Sequence, residues 1–378
     1  MDSSIESFKI SCVLNVKNNQ RKVMGLIRFL LAYSVVVGHF TFFPTYKLVG
    51  TDTAVEAFFV LSGFYIALIW DTQYSSVKDF WINRFLRLYP AYFVIAAINL
   101  VVNLIEPGEL KNIFTFPPLL SSYLIFTNAT MIFQDWAMFL GLQDGHLHFV
   151  SNFNNSNPPI WRYLLIPQAW TLGVEISLYI LAPLLFIRKF KYVFIVFIAS
   201  ILIRVYLLMH GKYDDPWGYR FFPSELALFM MGAVGYCIYS KINFASNPDL
   251  YSLLGKWLTA LLIGFIFFFP NIAANYEFKK GLFYLLLASA IPFIFYYSKS
   301  NKVDRFIGEL SYPMYLVWAL RIDVVGPIVR FFDITSENSI GVVSYGYIIL
   351  MSVLIHLFVE RPFEKIRARF RSQKKLTA

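Results

Sequence analysis

The chain has 378 residues, of which 58% are hydrophobic and only 15% are charged. Apolar runs of spanning length recur along it, which excludes a soluble globular domain and predicts a polytopic membrane protein. The net charge of +10 would suit a nucleic-acid-binding protein. However, the basic residues concentrate on alternate loops between the apolar runs, so the surplus indicates membrane topology and no nucleic-acid partner.

The hydrophobic pattern predicts an all-α polytopic membrane bundle of about ten transmembrane helices. The predicted spans are residues 24–43, 53–70, 88–105, 169–187, 192–209, 221–239, 254–270, 281–298, 307–325 and 340–359. The Lys- and Arg-rich loops include both termini, so both are expected in the cytoplasm. The chain then divides into a cytoplasmic segment 1–23, a membrane domain 24–360 with an outer loop 106–168, and a basic cytoplasmic tail 361–378. This tail is suited to contact anionic membrane lipids.

Ionisable residues within spans are functional candidates, because each is costly to place in a membrane. Arg28 and His39 are eleven residues apart in the first span, which puts them on nearly the same helical face, about 16 Å apart along the axis. Glu56 and Glu175 fall at a depth similar to that of His39 in their own spans. Since a carboxylate orients a histidine ring and raises its basicity, we predict that His39, Glu56 and Glu175 form a catalytic group. The alternatives are an interface histidine at His39 and a first-turn carboxylate favoured by the helix dipole at Glu56.

A second group of candidates lies at the expected cytoplasmic side. Arg84 and Arg87 are three residues apart, so a helix presents both on one face, and the guanidinium fork is suited to phosphate. The alternative is that the pair holds the helix end at the lipid headgroups. The inner end of the first span adds Arg28, and the start of the ninth adds Ser311 and Tyr312.

Two further features give local expectations. Pro362 predicts the end of the last spanning helix, because proline cannot donate an interior helical hydrogen bond. His146 and His148 flank a single residue in the outer loop. No third ligand has a matching spacing, so we predict no metal site.

These motifs, in this order, resemble the acyltransferase family 3 membrane proteins, which O-acylate sugars and related acceptors. The resemblance runs from residue 28 to residue 362 and is carried by Arg28 with His39, FFVLSGF (58–64), RFLRLYP (84–90), WTLGVE (170–175), IGELSYPMYL (307–316) and ERP (360–362). It implies a cytoplasmic acyl-coenzyme A donor, most often acetyl-coenzyme A, bound at the inner arginines with Ser311 and Tyr312. It also implies a cell-surface carbohydrate acceptor, such as O-antigen (whose acylation is a lipopolysaccharide modification), exopolysaccharide or a lipid-linked glycan, and a bacterial inner-membrane location.

Within that resemblance, His39 is the expected general base for the acceptor hydroxyl, with Glu56 or Glu175 holding its tautomer. Direct transfer and a covalent acyl-histidine both remain open. One residue departs from the family pattern: Trp318 stands where the family often has histidine, and an indole cannot take a proton.

Two other functions fit the same residues. Intramembrane His, Glu and Arg also suit the proton relay of a transporter or flippase for a small metabolite or a lipid-linked sugar. That class would predict internal repeats, and the two halves of the chain share no motif. The Trp318 departure keeps open a catalytically inactive binding or sensing protein. The oligomeric state is not indicated by the sequence.

Overall fold

The computed structural model describes residues 24–39, 48–105, 109–143, 145–186 and 191–371. The predicted amino-terminal segment 1–23, the end of the first predicted span and the last part of the basic tail, 372–378, lie outside these ranges.

The described chain is a helical bundle with one small hairpin. Its helices are α1 (Gly25–Gly38), α2 (Thr51–Gln73), α3 (Val77–Ile105), α4 (Pro118–Thr130), α5 (Trp170–Phe186), α6 (Lys191–Met209), α7 (Phe222–Lys241), α8 (Pro248–Phe268), α9 (Tyr276–Ser298), α10 (Lys302–Glu309), α11 (Ser311–Val317), α12 (Arg321–Phe331), α13 (Glu337–Ile355) and α14 (Arg361–Arg367). Strands β1 (Leu140–Gln143) and β2 (His146–Phe149) form an antiparallel pair between α4 and α5. Short 3-10 turns fill most of the remaining outer segment.

The all-α polytopic bundle predicted from the sequence is confirmed. Within the described ranges, eight helices are long and apolar enough to cross a membrane, and they correspond to all the predicted spans except the first and the ninth. The first appears as the shorter helix α1, of 14 residues.

The ninth predicted span is not one helix but the three short helices α10, α11 and α12. Pro313 supplies the physical reason for the first break. A proline ring clashes with the carbonyl four residues earlier, which is that of Glu309, the last residue of α10.

Helix α2 lies at the centre of the bundle and packs against α1, α5, α7 and α9. Two glycines allow the backbones of α2 and α7 to touch. A Cβ atom on Gly63 would lie 1.8 Å from the carbonyl oxygen of Phe229, and one on Gly232 would lie 1.8 Å from that of Val60. Small residues at helix crossings are a common packing solution in membranes, and here they fix α2 against its main neighbour.

The amino-terminal end of α1 is held by side chains from distant parts of the chain. The Asp304 carboxylate accepts from the backbone N–H groups of Gly25 and Leu26 at 2.7 and 2.9 Å, and Ser298 Oγ accepts from Met24 at 3.1 Å. A carboxylate at a helix amino terminus satisfies orphan donors and complements the helix dipole. This cap anchors the helix that carries Arg28 and His39.

The expectation that Pro362 ends the last helix is wrong. A π-helical turn, His356–Glu360, follows α13, and α14 begins directly after it at Arg361. Pro362 therefore occupies the first turn of a new α-helical segment, where the missing N–H has no intrahelical partner to lose. As a result, the chain continues from Arg361 as α14 and a 3-10 turn, and both contact α3.

Candidate functional site

An inner cavity of about 110 Å³ lies between α1, α2, α3, α5 and α11. It brings together all five residues expected to bind a phosphate-bearing donor. These five residues are Arg28, Arg84, Arg87, Ser311 and Tyr312. Glu175 also lines the cavity. Residues almost 300 positions apart in sequence thus form a single basic site.

Arg28 projects from α1 towards the start of α11. Its Nη2 donates to Ser311 Oγ at 2.8 Å, and the Ser311 hydroxyl donates in turn to the carbonyl of Gly308 at 2.6 Å. Arg28 is only 4% exposed. Ser311 is therefore a positioning residue that orients the guanidinium.

Arg84 and Arg87 lie on one face of α3, as their spacing predicts. Arg84 Nη2 donates to Asn83 Oδ1 at 2.8 Å, and Arg87 Nη1 forms a 2.6 Å ion pair with Glu360 Oε1. The guanidinium of Arg87 also lies 5.3 Å from the ring centroid of Tyr312. Each arginine is thus oriented by a neighbour that occupies only part of its donor fork.

The remaining donors of these arginines are buried and unpaired. Among the described residues, Arg28 Nη1, Arg84 Nε, and Arg87 Nε and Nη2 have no hydrogen-bond partner. A buried unsatisfied donor typically costs about 1–3 kcal/mol, and more when it is charged. Three guanidiniums with unused donors around one cavity indicate a site for an anionic group.

A larger cavity of about 440 Å³ adjoins the first, and the two share Tyr65, Arg84 and Arg87 in their linings. Six further cationic residues line the larger cavity: Lys302, Arg305, Arg361, Lys365, Arg367 and Arg371. Its acidic lining residues are Glu309, Glu360 and Glu364. Positive charge therefore exceeds negative charge in this larger cavity, called the vestibule below, which is suited to a polyanion.

Sequence reasoning assigned no role to His356, which the structure places in this vestibule. Its Nδ1 lies 3.0 Å from Glu360 Oε2, and its Nε2 lies 3.4 Å from Glu309 Oε2. Glu360 thereby connects His356 to Arg87. In the sequence, the i,i+4 spacing of His356 and Glu360 could have indicated their contact. In the structure, the π-helical turn that holds both residues is a feature frequent at functional sites.

Glu175 was expected beside His39 near the outer surface, but it lines the arginine cavity. Ser62 Oγ donates to its Oε1 at 2.9 Å, and the hydroxyl of Tyr179 donates to the same oxygen. Because Tyr179 follows Glu175 by one helical turn, the bond is local to α5. The structure thus groups this carboxylate with Arg28, Arg84 and Arg87.

Glu56, the second predicted partner of His39, belongs to an ionic cluster between α2, α6, α7 and α9. Its carboxylate contacts Arg204 Nη2 at 2.9 Å and Lys280 Nζ at 2.8 Å, and it accepts from the Tyr284 hydroxyl at 2.6 Å. Arg204 also pairs with Glu225 at 2.6 Å. Glu56 is fully buried, so this arrangement favours a role in joining the helices.

His39 caps the carboxyl-terminal end of α1 and is exposed. Its ring stacks on the indole of Trp318, with centroids 4.1 Å apart and planes inclined by 10°. His39 lies outside the linings of both cavities. Among the three predicted catalytic residues, the structure thus separates Glu175 and Glu56 into two different groups and places His39 against Trp318.

Comparison with known proteins gives a family match over most of the chain. A family model described as an acyltransferase domain matches residues 22–357. An uncharacterized protein of Aquifex aeolicus is 30% identical over 220 residues, covering 56% of this chain and 93% of that protein. The peptidoglycan O-acetyltransferase OatA of Listeria monocytogenes is 24% identical over 367 residues, covering 90% of this chain. The chain spans only 55% of the length of OatA. No solved structure matches the chain.

Proposed function

Because the chain belongs to the acyltransferase domain family, we propose that it is a membrane O-acetyltransferase that uses acetyl-coenzyme A. The acceptor would be a hydroxyl group of a cell-surface carbohydrate. The observation that carries the proposal is the set of guanidinium donors of Arg28, Arg84 and Arg87 that surround one cavity and have no partner in the described part of the chain. A transporter for a neutral sugar would have no use for such a set.

Each of the two cavities suits a different chemical part of the proposed donor. The phosphates of coenzyme A suit the vestibule, where Lys302, Arg305 and Arg361 join Arg84 and Arg87. Charge-assisted bonds from guanidinium to phosphate are short and often bidentate. The uncharged pantetheine arm, whose amide carbonyls accept hydrogen bonds, suits the inner cavity, where aliphatic and aromatic side chains surround the guanidinium donors. This orientation sends the thioester away from the basic vestibule.

His39 would act as the general base at the far end of α1, about 16 Å from Arg28 along the helix axis. The acceptor hydroxyl proton moves to the imidazole while the oxygen forms a bond to the thioester carbonyl carbon. The carbon–sulfur bond then breaks, and the thiolate of coenzyme A takes the proton from the imidazolium. The donor enters from the basic side, and the carbohydrate reaches His39 from the opposite side of the membrane.

A carbohydrate acceptor is supported by the named relative. OatA is named for O-acetylation of peptidoglycan, and an acceptor hydroxyl on a sugar needs the base that His39 supplies. The Lys- and Arg-rich loops support a cytoplasmic position for the vestibule. Together these points favour the cytoplasmic membrane of a bacterium as the location.

The test is acetyl transfer from labelled acetyl-coenzyme A to a defined oligosaccharide in membranes with matched expression levels. A general base typically contributes about 10²–10⁴-fold, so His39→Gln should lose at least about 99% of the wild-type rate. The matched control is His148→Gln, which alters an exposed histidine of β2 and should leave the rate unchanged. If His39→Gln keeps more than about a tenth of the activity, this histidine is not the base.

A further inference from the structure

The stack of His39 on Trp318 has the geometry of a cation–π contact. The two rings are nearly parallel at 10°, with centroids 4.1 Å apart. A cation within about 6 Å of an aromatic centroid is attracted by the ring quadrupole, and tryptophan is the strongest of the aromatic residues. The contact therefore gains strength at the moment when the imidazole becomes an imidazolium.

Trp318 lies at the carboxyl-terminal end of α11, the helix that contributes to the lining of the inner cavity. Ser311 at the start of α11 bonds Arg28, and Tyr315 lines the same cavity and donates to the backbone carbonyl of Gln168. The Gln168 side chain donates back to the carbonyl of Leu316 at 2.8 Å. Trp318 follows Tyr315 by three residues, so it lies one turn beyond the cavity on the same face.

We propose that Trp318 positions the imidazole of His39 and stabilises the imidazolium formed during acyl transfer. This inference rests on the proposed function, in which the ring carries a proton between its removal from the acceptor hydroxyl and its delivery to the coenzyme A thiolate. The ring is neutral before and after that interval. A stronger contact with the charged ring thus lowers the barrier without strengthening substrate binding.

The surrounding contacts support this role for an aromatic face. The indole N–H of Trp318 is buried and has no acceptor among the residues that the structure describes. The indole is therefore kept in place by packing and by the stack.

The experiment replaces Trp318 with progressively fluorinated tryptophans by site-specific incorporation. Fluorine withdraws charge from the ring face while preserving ring shape, stacking area and the N–H group. We expect kcat for acetyl transfer to fall in step with fluorination, with a total loss of about tenfold, while KM for acetyl-coenzyme A stays constant. Trp318→Phe should lie near the end of that series, because phenylalanine retains a weaker aromatic face.

The matched control is the same fluorinated series at Trp257, which is 65% exposed on α8 and should show no trend. A flat kcat across the Trp318 series, or a change confined to KM, overturns the proposal. His39→Gln measured in parallel separates the two levels of inference. If that variant is inactive and the Trp318 series is flat, only the role of Trp318 fails. If that variant retains activity, the proposed base and the role of Trp318 both fail.

Discussion

Arg87 shows how much of the proposed donor site depends on a single side chain. It lines both cavities and pairs with Glu360, and two of its guanidinium nitrogens have no hydrogen-bond partner among the residues that the structure describes. Arg87→Lys preserves the charge but removes the planar fork. Donor binding should weaken by about 1–3 kcal/mol, the scale of a hydrogen bond to a charged group. Calorimetric titration of the purified protein with acetyl-coenzyme A measures this directly.

The control for Arg87 is Arg330→Lys, because Arg330 is exposed on α12. It should leave the affinity for acetyl-coenzyme A unchanged. Equal affinities of wild type, Arg87→Lys and Arg330→Lys would remove Arg87 from the donor site.

At the scale of elements, the crossing of α2 and α7 depends on the absence of a side chain at Gly63. The atom that a Cβ would meet, 1.8 Å away, is the backbone carbonyl oxygen of Phe229, which cannot move without displacing its helix. Overpacking of this kind typically costs about 1–3 kcal/mol. Gly63→Ala should therefore lower the melting temperature of the detergent-solubilised protein.

The same substitution elsewhere gives the opposite expectation. Gly264 lies inside α8, where an added Cβ would meet none of the described atoms within 4 Å apart from its chain neighbours and the nearby backbone of its own helix. Alanine is favoured over glycine in a helix by about 1 kcal/mol. Gly264→Ala should leave the melting temperature unchanged or raise it. Similar losses in both variants would show that the close crossing does not determine the Gly63 result.

At the scale of the whole molecule, Asp135 lies where the outer segment meets the membrane bundle. It is buried against Gly173 of α5, and its Oδ1 has no hydrogen-bond partner among the described residues. Burial raises the pKa of this carboxyl from 3.8 to about 7, although a backbone hydrogen bond lowers it in part. Near neutral pH the folded protein thus binds a proton that the unfolded chain releases.

The sign of the pH dependence follows from this raised pKa. The stabilising contribution of the protonated carboxyl is complete below the unfolded pKa of 3.8 and is lost as pH rises through about 7. The full difference corresponds to about 4 kcal/mol. The melting temperature should therefore fall between about pH 4 and about pH 7, and Asp135→Asn should flatten that fall.

An exposed aspartate provides the comparison for this prediction. Asp333 is exposed just after α12, so Asp333→Asn should retain the pH dependence of the wild type. An identical slope in wild type and in Asp135→Asn would contradict the assignment to Asp135.

The sequence by itself determined the class of the molecule and most of its spans. Hydrophobic length sets membrane helices because every backbone polar group must be satisfied inside the bilayer, and this requirement is local to each segment. For the same reason the pairing of Arg84 with Arg87 on one face of α3 was predictable, since helical periodicity alone decides it. The site motifs were visible for a similar reason: charged residues in apolar runs stand out individually.

Only the tertiary structure decided which of these charges meet. The sequence predicts similar depths for Glu56 and Glu175, yet one contacts Arg204 and Lys280 and the other lines the cavity of Arg28. Depth along the membrane normal follows from position in a span, but the neighbours of a side chain depend on the rotation and packing of every helix around it. Likewise, the stack of His39 on Trp318 joins residues far apart in sequence. The contact requires the folded bundle, because neither residue carries a local signal for the other.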